Sequence, residues 1–412
     1  MPIFNRADIL LPRQAALEKW AVIACDQFTS DGDYWQDVRQ QVGEEPSTLH
    51  MILPEAELGA PDEERKISAI NAAMAAYLDG GVFRTFENCY IYVERQLLNG
   101  SVRPGLIGAV DLQAYDYRPG SVSPIRATEQ TVLERIPPRQ RVRRDAVLEF
   151  PHVLMLCDDA QKTLIEPITA CRDTLPKLYD FDLMAGGGHI TGWLVSGETA
   201  QAFDERFARF AASVPEKYAD LPGAPVVLAV GDGNHSLATA KSCYEQLLQR
   251  DPAAAQGPCP ARYALVELEN IHDAAQVFEP IHRIVKHVQP ERLLRDLREL
   301  CAPGGYPVTV LLPEGQQELL LDRSRGEMAV AVLQQFLDSW LAENGGSIDY
   351  IHGEQELRQL ARQQDTVGFL LPPMEKHSLF RGVIAGGVLP RKTFSMGHAR
   401  EKRYYLEGRK IR

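Results

Sequence analysis

The feature that most constrains this sequence is an apolar strand pattern that passes through two glycines directly into a helix pattern. Residues 226–230 are apolar and rich in β-branched side chains, and Gly-Asp-Gly follows them. Apolar side chains then recur at Leu237, Ala240, Tyr244 and Leu248, which places them on one face of a helix. The segment therefore predicts a strand, a sharp turn and a helix in unbroken succession.

The turn itself, residues 231–236 (the glycine turn), carries more chemistry than a plain connection needs. Its glycines let the backbone approach a ligand closely, and the helix N-terminus behind it attracts anions. The residues that this predicts for binding a phosphate or another anion are Gly231, Asp232, Gly233, Asn234, His235 and Ser236. A second interpretation stays open, in which Asp232 or Asn234 only caps the helix and His235 only bonds to backbone.

Composition excludes several classes of function. The 412 residues include 56 acids and 44 bases, and the net charge of −12 argues against a nucleic-acid-binding protein. No apolar run approaches the roughly 20 residues that span a membrane, and the first residues contain no apolar signal core. The seven cysteines are scattered and never spaced Cys-x-x-Cys. We expect a cytoplasmic protein with reduced thiols, and the oligomeric state stays open.

Strand and helix patterns are interleaved along the whole chain. Residues 33–42, 198–214 and 329–341 have helical periodicity, and residues 89–98 and 106–112 predict a hairpin around Asn99-Gly100. No low-complexity tract or long polar linker divides the sequence. The pattern predicts a mixed α/β or α+β fold.

Two further segments end a predicted strand or begin a helix with polar groups. Asp26 follows the apolar residues 20–24 and is a candidate acid, base or metal ligand, although it could equally start a turn. Arg126 stands among hydroxyls and the Glu129 carboxylate at the start of a basic stretch, residues 126–144. Its guanidinium could bind a phosphate or carboxylate in a bidentate way, or the segment could be an exposed loop.

The end of the chain is basic in a protein that is acidic overall. Residues 381–412 contain nine Lys/Arg and two Glu, which predicts an anionic ligand or an acidic partner surface. Within the basic loop, residues 391–403, we expect Arg391, Lys392, His398 and Arg403 to contact the anion. The alternative is a basic tail that folds back onto acids of the same chain.

Six of these segments together resemble one family along nearly the whole length, the domain-of-unknown-function family 1015. The matching segments are residues 21–30, 46–50, 123–129, 231–236, 278–283 and 389–399. The family has no settled activity.

The Asp-Gly-Asn-His-Ser sequence at 232–236 also resembles the Asp-Gly-His-His-Arg turn of the ParB/sulfiredoxin superfamily. That superfamily includes CTP-binding partition proteins, ATP-using sulfiredoxins and a kinase that phosphorylates free serine. The resemblance implies that Asp232, Asn234 and His235 face nucleotide phosphates or a Mg²⁺ ion held by Asp232, with Asp26 opposite as a candidate base. Ser236 departs from the superfamily's arginine. Either Arg126, Arg391, Lys392 or Arg403 supplies that charge from another segment, or this branch does not transfer phosphate.

These inferences combine into one expectation and its alternatives. The resemblance implies a ParB/sulfiredoxin-like α+β core in residues 1–300 with inserted elements, and a C-terminal α/β subdomain in residues 301–412 that ends in the basic loop. The expected function is phosphoryl transfer to a small metabolite, with serine or phosphoserine as first substrate, ATP or ADP as nucleotide and Mg²⁺ as metal. Catalytic roles fall to Asp26, Asp232 and His235. The alternatives are a non-catalytic nucleotide- or metabolite-binding regulator and a phosphatase acting on a phosphorylated amino acid.

Overall fold

The protein is described by a computed structural model that covers residues 2–13, 17–24, 32–54, 57 and 59–412. The α-helices in this part of the chain are α1 Gly32–Val42, α2 Glu63–Asp79, α3 Ile136–Arg144, α4 Glu166–Cys171, α5 Gly197–Lys217, α6 Asn234–Arg250, α7 Pro290–Arg298, α8 Ala329–Asn344, α9 Glu354–Leu360 and α10 Lys376–Gly386. The strands are β1 Phe4–Asn5, β2 Ala7–Pro12, β3 Phe83–Gln96, β4 Val102–Asp111, β5 Tyr115–Asp116, β6 Ile125–Ala127, β7 Leu148–Glu149, β8 Leu154–Cys157, β9 Lys177–Asp182, β10 His189–Val195, β11 Leu228–Asp232, β12 Tyr263–Asn270, β13 Phe278–Lys286, β14 Cys301–Leu312, β15 Gly315–Leu321, β16 Ser347–His352, β17 Thr366–Leu370, β18 Phe394–Met396 and β19 Arg409–Lys410. The predicted mixed α+β class is confirmed.

The larger of the two main sheets carries the glycine turn. Nine of its strands follow the order β5-β6-β11-β8-β12-β4-β3-β10-β9, and β1 and β2 pair with β4 and β3. The strand β11, which leads into the turn, is parallel to β6 and antiparallel to β8. Its register against β8 shifts between Val230 and Asp232. The shift ends regular pairing at Gly231, where the backbone leaves the sheet toward α6.

The predicted hairpin and the predicted amphipathic helix are both present. Strands β3 and β4 pair with Ile91 opposite Ile107, and Gly100 has a φ of +83° in the turn. Helix α5 buries Phe203 and Phe207 against Phe4 of β1, at ring-centroid distances of 5.9 and 5.7 Å. Burying an aromatic side chain of this kind contributes about 1.5–3 kcal/mol, so α5 is held to the sheet by its apolar face.

The smaller main sheet lies in the later part of the chain. Its order is β15-β14-β17-β13-β16, and β18 pairs with β13 through Phe278 and Met396. The predicted division of the chain at residue 300 falls between β13 and β14, which belong to this one sheet. That division stays a prediction.

Two negative findings apply to the residues that the structure describes. None of the helices formed by these residues is long and apolar enough to cross a membrane. The six cysteines among them, at positions 89, 157, 171, 243, 259 and 301, are free thiols.

Candidate functional site

The glycine turn needs both of its glycines. Gly233 has a φ of +84°, and a Cβ atom there would lie 2.4 Å from the carbonyl oxygen of His152. A Cβ atom at Gly231 would lie 2.9 Å from both Leu156 Cγ and Met396 Sδ. A side chain at position 233 would therefore meet strain and a backbone clash at once, while position 231 is closed by side-chain packing. The backbone turns within a space that only glycine fits.

Helix α6 begins immediately after the turn and leaves its first N–H groups unused by the helix. The first bond onto the helix runs from the Leu237 N–H to the Gly233 carbonyl oxygen, at 3.0 Å. The N–H groups of residues 234–236 precede this bond, so they project from the positive end of the helix dipole. The Asn234 Oδ1 atom is shielded from solvent and has no hydrogen-bond partner among the described residues. The start of α6 is thus a polar surface suited to an anion.

Asp232 is a carboxylate held between two basic side chains. Its Oδ2 atom lies 2.7 Å from Lys402 Nζ and 3.5 Å from His152 Nε2, and its Oδ1 atom accepts the Gly233 N–H at 2.8 Å. Burial acts to raise the pKa of Asp232, but the Lys402 ammonium and His152 outweigh it and hold the pKa well below its ordinary value. Asp232 is therefore ionised at neutral pH, and Lys402 compensates its charge.

Two histidine rings beside the turn are oriented by backbone groups. His152 Nδ1 lies 2.9 Å from the Arg403 carbonyl oxygen, which can only accept, so the ring carries a proton on Nδ1. The Val132 N–H donates to His235 Nε2 at 3.2 Å, so the neutral His235 ring also carries its proton on Nδ1. In the neutral form of His152 the other ring nitrogen, Nε2, has no proton and faces Asp232 as an acceptor. In the protonated form of His152, Nε2 carries a proton and faces the carboxylate as a donor.

The basic loop is positioned by a buried arginine of β13. The Arg283 guanidinium donates to the carbonyl oxygens of Arg391 and Lys392, at 2.9 Å in each case. Burial lowers the pKa of Arg283 to about 10, which leaves it charged at neutral pH. Lys392 has a φ of +54°, an uncommon conformation for a residue other than glycine. Arg283 thus fixes the backbone from which two cationic side chains extend.

A second anchor connects the basic loop to the strand of the glycine turn. The Leu389 N–H donates to the Thr128 carbonyl oxygen at 2.6 Å. The Thr128 hydroxyl in turn donates to the Val230 carbonyl oxygen at 2.7 Å, two residues before Asp232. Thr128 therefore bridges the segment that enters the basic loop and the strand that ends in the glycine turn.

The glycine turn and the basic loop line the same cavity, which has a volume of about 410 Å³. All six residues of the turn contribute, and the basic loop contributes Arg391, Lys392, Ser395 and Lys402 among others. The charged side chains of the wall are six Lys/Arg and three Asp/Glu: Arg135, Arg139, Arg143, Arg391, Lys392, Lys402, Glu129, Glu149 and Asp232. In a protein of net charge −12, an excess of three positive charges around one cavity favours an anionic ligand.

Part of the cavity wall is apolar. Trp35 of α1, Met51, Ile52, Leu53 and Tyr404 line it. Ligand sites commonly have volumes of about 300–1,000 Å³ and combine an apolar wall with a few polar groups. The cavity is therefore of a size and composition that accept a small organic anion.

Glu129 is a second carboxylate in the cavity wall, and its environment differs from that of Asp232. Burial raises the pKa of Glu129, and the negative charge of Asp232 adds to the rise, while Lys392 and Lys402 oppose it. The pKa of Asp232 is thus lowered and the pKa of Glu129 is raised. Sites that divide acid and base roles between two carboxylates show the same contrast.

Three of the predicted site residues do not line the cavity. The buried Arg126 guanidinium donates to backbone carbonyl oxygens, among them Ser123 at 2.9 Å and Ala224. The buried Arg403 guanidinium donates to the carbonyl oxygens of Arg400 and Met184, at 2.7 Å in both cases. His398 is exposed, and its N–H donates to Glu401 at 2.8 Å. The two arginines are engaged in holding loops together.

The remaining predicted residue, Asp26, lies outside the described residues. The nearest described residue before it, Ala24, lines the cavity and donates its N–H to the Lys402 carbonyl oxygen at 2.8 Å. The neighbouring Ile23 forms an antiparallel bridge with Arg403. Residues 23 and 24 therefore lie at the cavity wall.

The cavity wall also contains polar residues that the sequence did not single out. Among them are Lys402, His152, Glu129, Arg135 and Arg139. Lys402 belongs to the basic loop, and Glu129, Arg135 and Arg139 belong to the basic stretch 126–144. His152 had no motif signal, because only the fold brings it to within 3.5 Å of Asp232.

Mg²⁺ is usually bound by one or two carboxylates together with water and substrate phosphates. No group of three or more His, Cys, Asp or Glu side chains that could hold a metal occurs among the described residues. One oxygen of Asp232 accepts the Gly233 N–H, and the Lys402 ammonium lies 2.7 Å from the other. The described residues therefore do not fit a Mg²⁺ site built by the protein alone. The metal role of Asp232 stays a prediction.

Several solved structures are similar to this chain at low identity. SbnI with a C-terminal truncation, from Staphylococcus aureus, is 12% identical over 70% of this chain and 82% of its own, with a TM-score of 0.36. A free serine kinase in complex with AMP is 11% identical over 68% of this chain and 87% of its own, with a TM-score of 0.34. A conserved hypothetical protein from Pyrococcus furiosus is 10% identical over 70% of this chain and 89% of its own, with a TM-score of 0.33. At these TM-scores the likeness carries no conclusion about the chemistry of this chain.

The family assignment rests on the sequence. No curated protein matches the chain. The sequence profile of the family described as protein of unknown function (DUF1015) matches residues 7–380, and the chain therefore belongs to that family.

Proposed function

We propose that the protein is a phosphotransferase that moves a phosphoryl group between a nucleotide and a small hydroxylated metabolite. The observation that carries the proposal is the lining of one cavity by both the glycine turn and the basic loop. Each is suited to an anion, and they are more than 150 residues apart in sequence. Their meeting in one cavity supports a composite phosphate site.

The phosphate subsite in this proposal combines backbone and side-chain donors. The N–H groups of residues 234–236 at the start of α6 bind phosphate oxygens. Arg391 and Lys392, on the backbone that Arg283 fixes, supply positive charge from the opposite segment. These cations take the role that the Asp-Gly-Asn-His-Ser turn leaves open by ending in Ser236.

The apolar wall supports a nucleotide over free inorganic phosphate. Trp35, Ile52 and Tyr404 present aromatic and aliphatic surface in the same cavity as the cations. A nucleobase or a comparable ring packs against such surface, and its burial adds binding free energy at about 25 cal/mol per Å². The volume of about 410 Å³ is adequate for a mononucleotide-sized ligand together with bound water.

The two carboxylates have different roles in the transfer step. Asp232 is a weak base because its pKa is low, so it orients Lys402 and the turn. Glu129 has a raised pKa and lines the cavity, which suits a general base. Asp26 is the other candidate base, from the sequence resemblance. Its role is proposed on that ground alone.

The proposed reaction is an in-line displacement. The acceptor hydroxyl oxygen forms a bond to the terminal phosphorus of the nucleotide while the bond from that phosphorus to the leaving oxygen breaks. The hydroxyl proton passes to the carboxylate of the base, Glu129 in the described part of the cavity. Arg391, Lys392 and Lys402 stabilise the negative charge on the equatorial and leaving oxygens.

Turnover tests this proposal. Purified protein is incubated with ATP or ADP and a panel of small hydroxy-acids and hydroxy-amino acids, with and without Mg²⁺, and phosphorylated product is measured by mass spectrometry. Serine is the first acceptor because the glycine turn resembles that of a superfamily which includes a free serine kinase. Glu129→Gln is expected to lower turnover at least a hundredfold, in line with the usual contribution of general acid–base catalysis.

The same assay provides a control variant and two results that would contradict the proposal. Glu134→Gln changes an exposed glutamate that does not line the cavity, and it is expected to keep full turnover. Nucleotide binding without transfer to any acceptor would contradict the proposal and favour a regulatory binding protein. Release of phosphate from phosphoserine, with no transfer to nucleotide, would instead favour a phosphatase.

A further inference from the structure

A second cavity, of about 590 Å³, lies along the C-terminal half of α6. Helix residues from Cys243 to Arg250 form one wall, and residues 257–261 with Ile411 form another. Its charged side chains are four arginines and one aspartate: Arg143, Arg144, Arg250, Arg412 and Asp251. The excess of three positive charges equals that of the first cavity. The proposed function assigns nothing to it.

The arginines of this second cavity are only partly neutralised. Arg143 pairs with Glu149 at 2.5 Å, and Arg144 pairs with the exposed Asp145 at 3.1 Å. Arg250 forms no ion pair with the part of the chain that the structure describes. The single acid of the wall, Asp251, accepts the Ala253 N–H at 3.1 Å and caps the turn that follows α6. Arg412 lies 3.9 Å from the same Asp145 that pairs with Arg144. Two arginines therefore share one exposed carboxylate, and the cations of the wall outnumber the acids that neutralise them.

The Cys243 thiol lies in the same wall and is affected by the charges of the surrounding arginines. Burial raises the pKa of Cys243, while the charges of Arg143, Arg144, Arg412 and Arg250 all act to lower it. Four guanidinium groups thus lie near enough to one side chain to act on it together. Helices α3 and α6 both end at this cavity, and helix C-termini favour basic residues. That preference explains why each helix ends in arginine, but it does not explain the open space that the arginines surround.

We propose that the second cavity binds a small phosphate-bearing anion at a site separate from the first cavity. Guanidinium groups bind phosphate oxygens in a bidentate way, and several arginines around one space favour a doubly charged group over a single carboxylate. Tyr244, Leu247, Pro258 and Ile411 add apolar surface to the wall. An organic phosphate can therefore use more of the cavity than inorganic phosphate.

The two cavities share a wall, since Arg143 and Ala240 line both of them. The inference about the second cavity does not depend on the proposed phosphoryl transfer. Arg144 and Arg250 line only the second cavity, and Arg391 and Lys392 line only the first, so substitutions at these positions can remove one site and leave the other in place.

Calorimetric titration with two probes, inorganic phosphate and AMP, tests the inference. The wild-type protein is expected to bind two AMP molecules per chain. Arg144→Ala combined with Arg250→Ala is expected to weaken one of these events at least tenfold and to leave the other unchanged. Arg391→Ala combined with Lys392→Ala is expected to do the reverse. Arg144 and Arg250 are exposed, so their substitution leaves the core packing intact.

A matched control and a second readout complete the test. Arg65→Ala removes an exposed arginine that lines neither cavity, and both binding events are expected to remain. AMP is also expected to slow the alkylation of Cys243 by iodoacetamide in the wild type but not in the Arg144/Arg250 double variant. The inference would be overturned if no AMP-binding event of the wild type were weakened in the Arg144/Arg250 double variant. A single wild-type event that this variant weakens would support the second site and contradict binding in the first cavity. Phosphate competing with AMP at the second site would indicate that the phosphate group alone is recognised, and AMP binding without such competition would indicate an organic phosphate.

Discussion

Replacing Lys402 with methionine tests the electrostatic core of the site. Lys402 Nζ lies 2.7 Å from Asp232 Oδ2, and the two side chains are 18% and 27% exposed. Removing one partner of a buried ion pair costs about 3–5 kcal/mol. Because both side chains keep some contact with water, we expect a loss of about 2 kcal/mol in the free energy of unfolding, roughly a thirtyfold change in the unfolding equilibrium.

The pH dependence of this loss identifies its cause. The depressed pKa of Asp232 means that the pair stabilises the fold above the ordinary aspartate pKa of 3.8, and that this contribution is lost as the pH falls through the folded-state pKa. In Lys402→Met, burial raises the pKa of Asp232, so the carboxyl group takes up a proton more readily. The difference in stability between wild type and variant should therefore shrink as the pH falls from neutral toward the ordinary aspartate pKa.

Urea denaturation provides the assay, and the chain offers a matched control. Lys286 and Asp349 are 2.6 Å apart but 29% and 57% exposed, so Lys286→Met is expected to cost at most about 1 kcal/mol. Combining Lys402→Met with Asp232→Asn should remove most of the loss, because no buried charge then remains unpaired. Equal losses for the two lysine variants, or a loss that does not change with pH, would refute the reasoning.

Three further predictions concern the turn, the base and the basic loop. Gly233→Ala should cost about 1–2 kcal/mol from its left-handed backbone alone, and the contact with His152 should add to this and abolish ADP binding in the first cavity. Gly315→Ala, which has open space around it and lines neither cavity, should change neither stability nor binding. ADP titration and urea denaturation measure both effects. The transfer rate should rise with pH through the raised pKa of Glu129, since the base must be ionised, and Glu129→Gln should remove that limb of the pH–rate profile; an unchanged profile would exclude it as the base. Arg283→Met should weaken ADP binding about tenfold, or 1.4 kcal/mol, by releasing the basic loop, with little change in the affinity of the second cavity for AMP; equal weakening at both sites would point to general unfolding.

Local sequence patterns predicted much of the fold. The β3–β4 hairpin follows from alternation around Asn99-Gly100, and α5 and α8 follow from apolar residues at helical spacing. Strand β13 was not predicted, because residues 278–283 were noted only as a family segment. Its pairing with β16, β17 and β18 depends on strands that lie 60 or more residues later.

The site was predicted in part, for reasons that particular residues make clear. The glycine turn, Arg391 and Lys392 are local motifs, and the structure places them around one cavity. Lys402 and Arg403 are adjacent cations, and successive side chains in extended backbone point to opposite sides. Lys402 reaches Asp232, whereas Arg403 points to the carbonyl of Met184. Sequence alone could not decide between them, because the direction is set by the bridge of Arg403 to Ile23.

Arg126 illustrates the same difficulty for a different reason. Its sequence context resembles an anion-binding segment, but its guanidinium is used by the carbonyl oxygens of residues 123, 224 and 225. Two of those acceptors, the carbonyl oxygens of residues 224 and 225, come from a segment about 100 residues later in the chain. A buried arginine that binds backbone and an arginine that binds a ligand have the same sequence signature, and only the fold distinguishes them.

The central claim is that the glycine turn and the basic loop form one phosphate site. A crystal structure of the protein with ADP tests it most directly. We predict phosphate oxygens within hydrogen-bond distance, about 2.7–3.2 Å, of the N–H groups of residues 234–236 and of the Arg391 or Lys392 side chain in the same complex. ADP phosphates that contact only one of the two segments, or that bind elsewhere on the protein, would contradict the account.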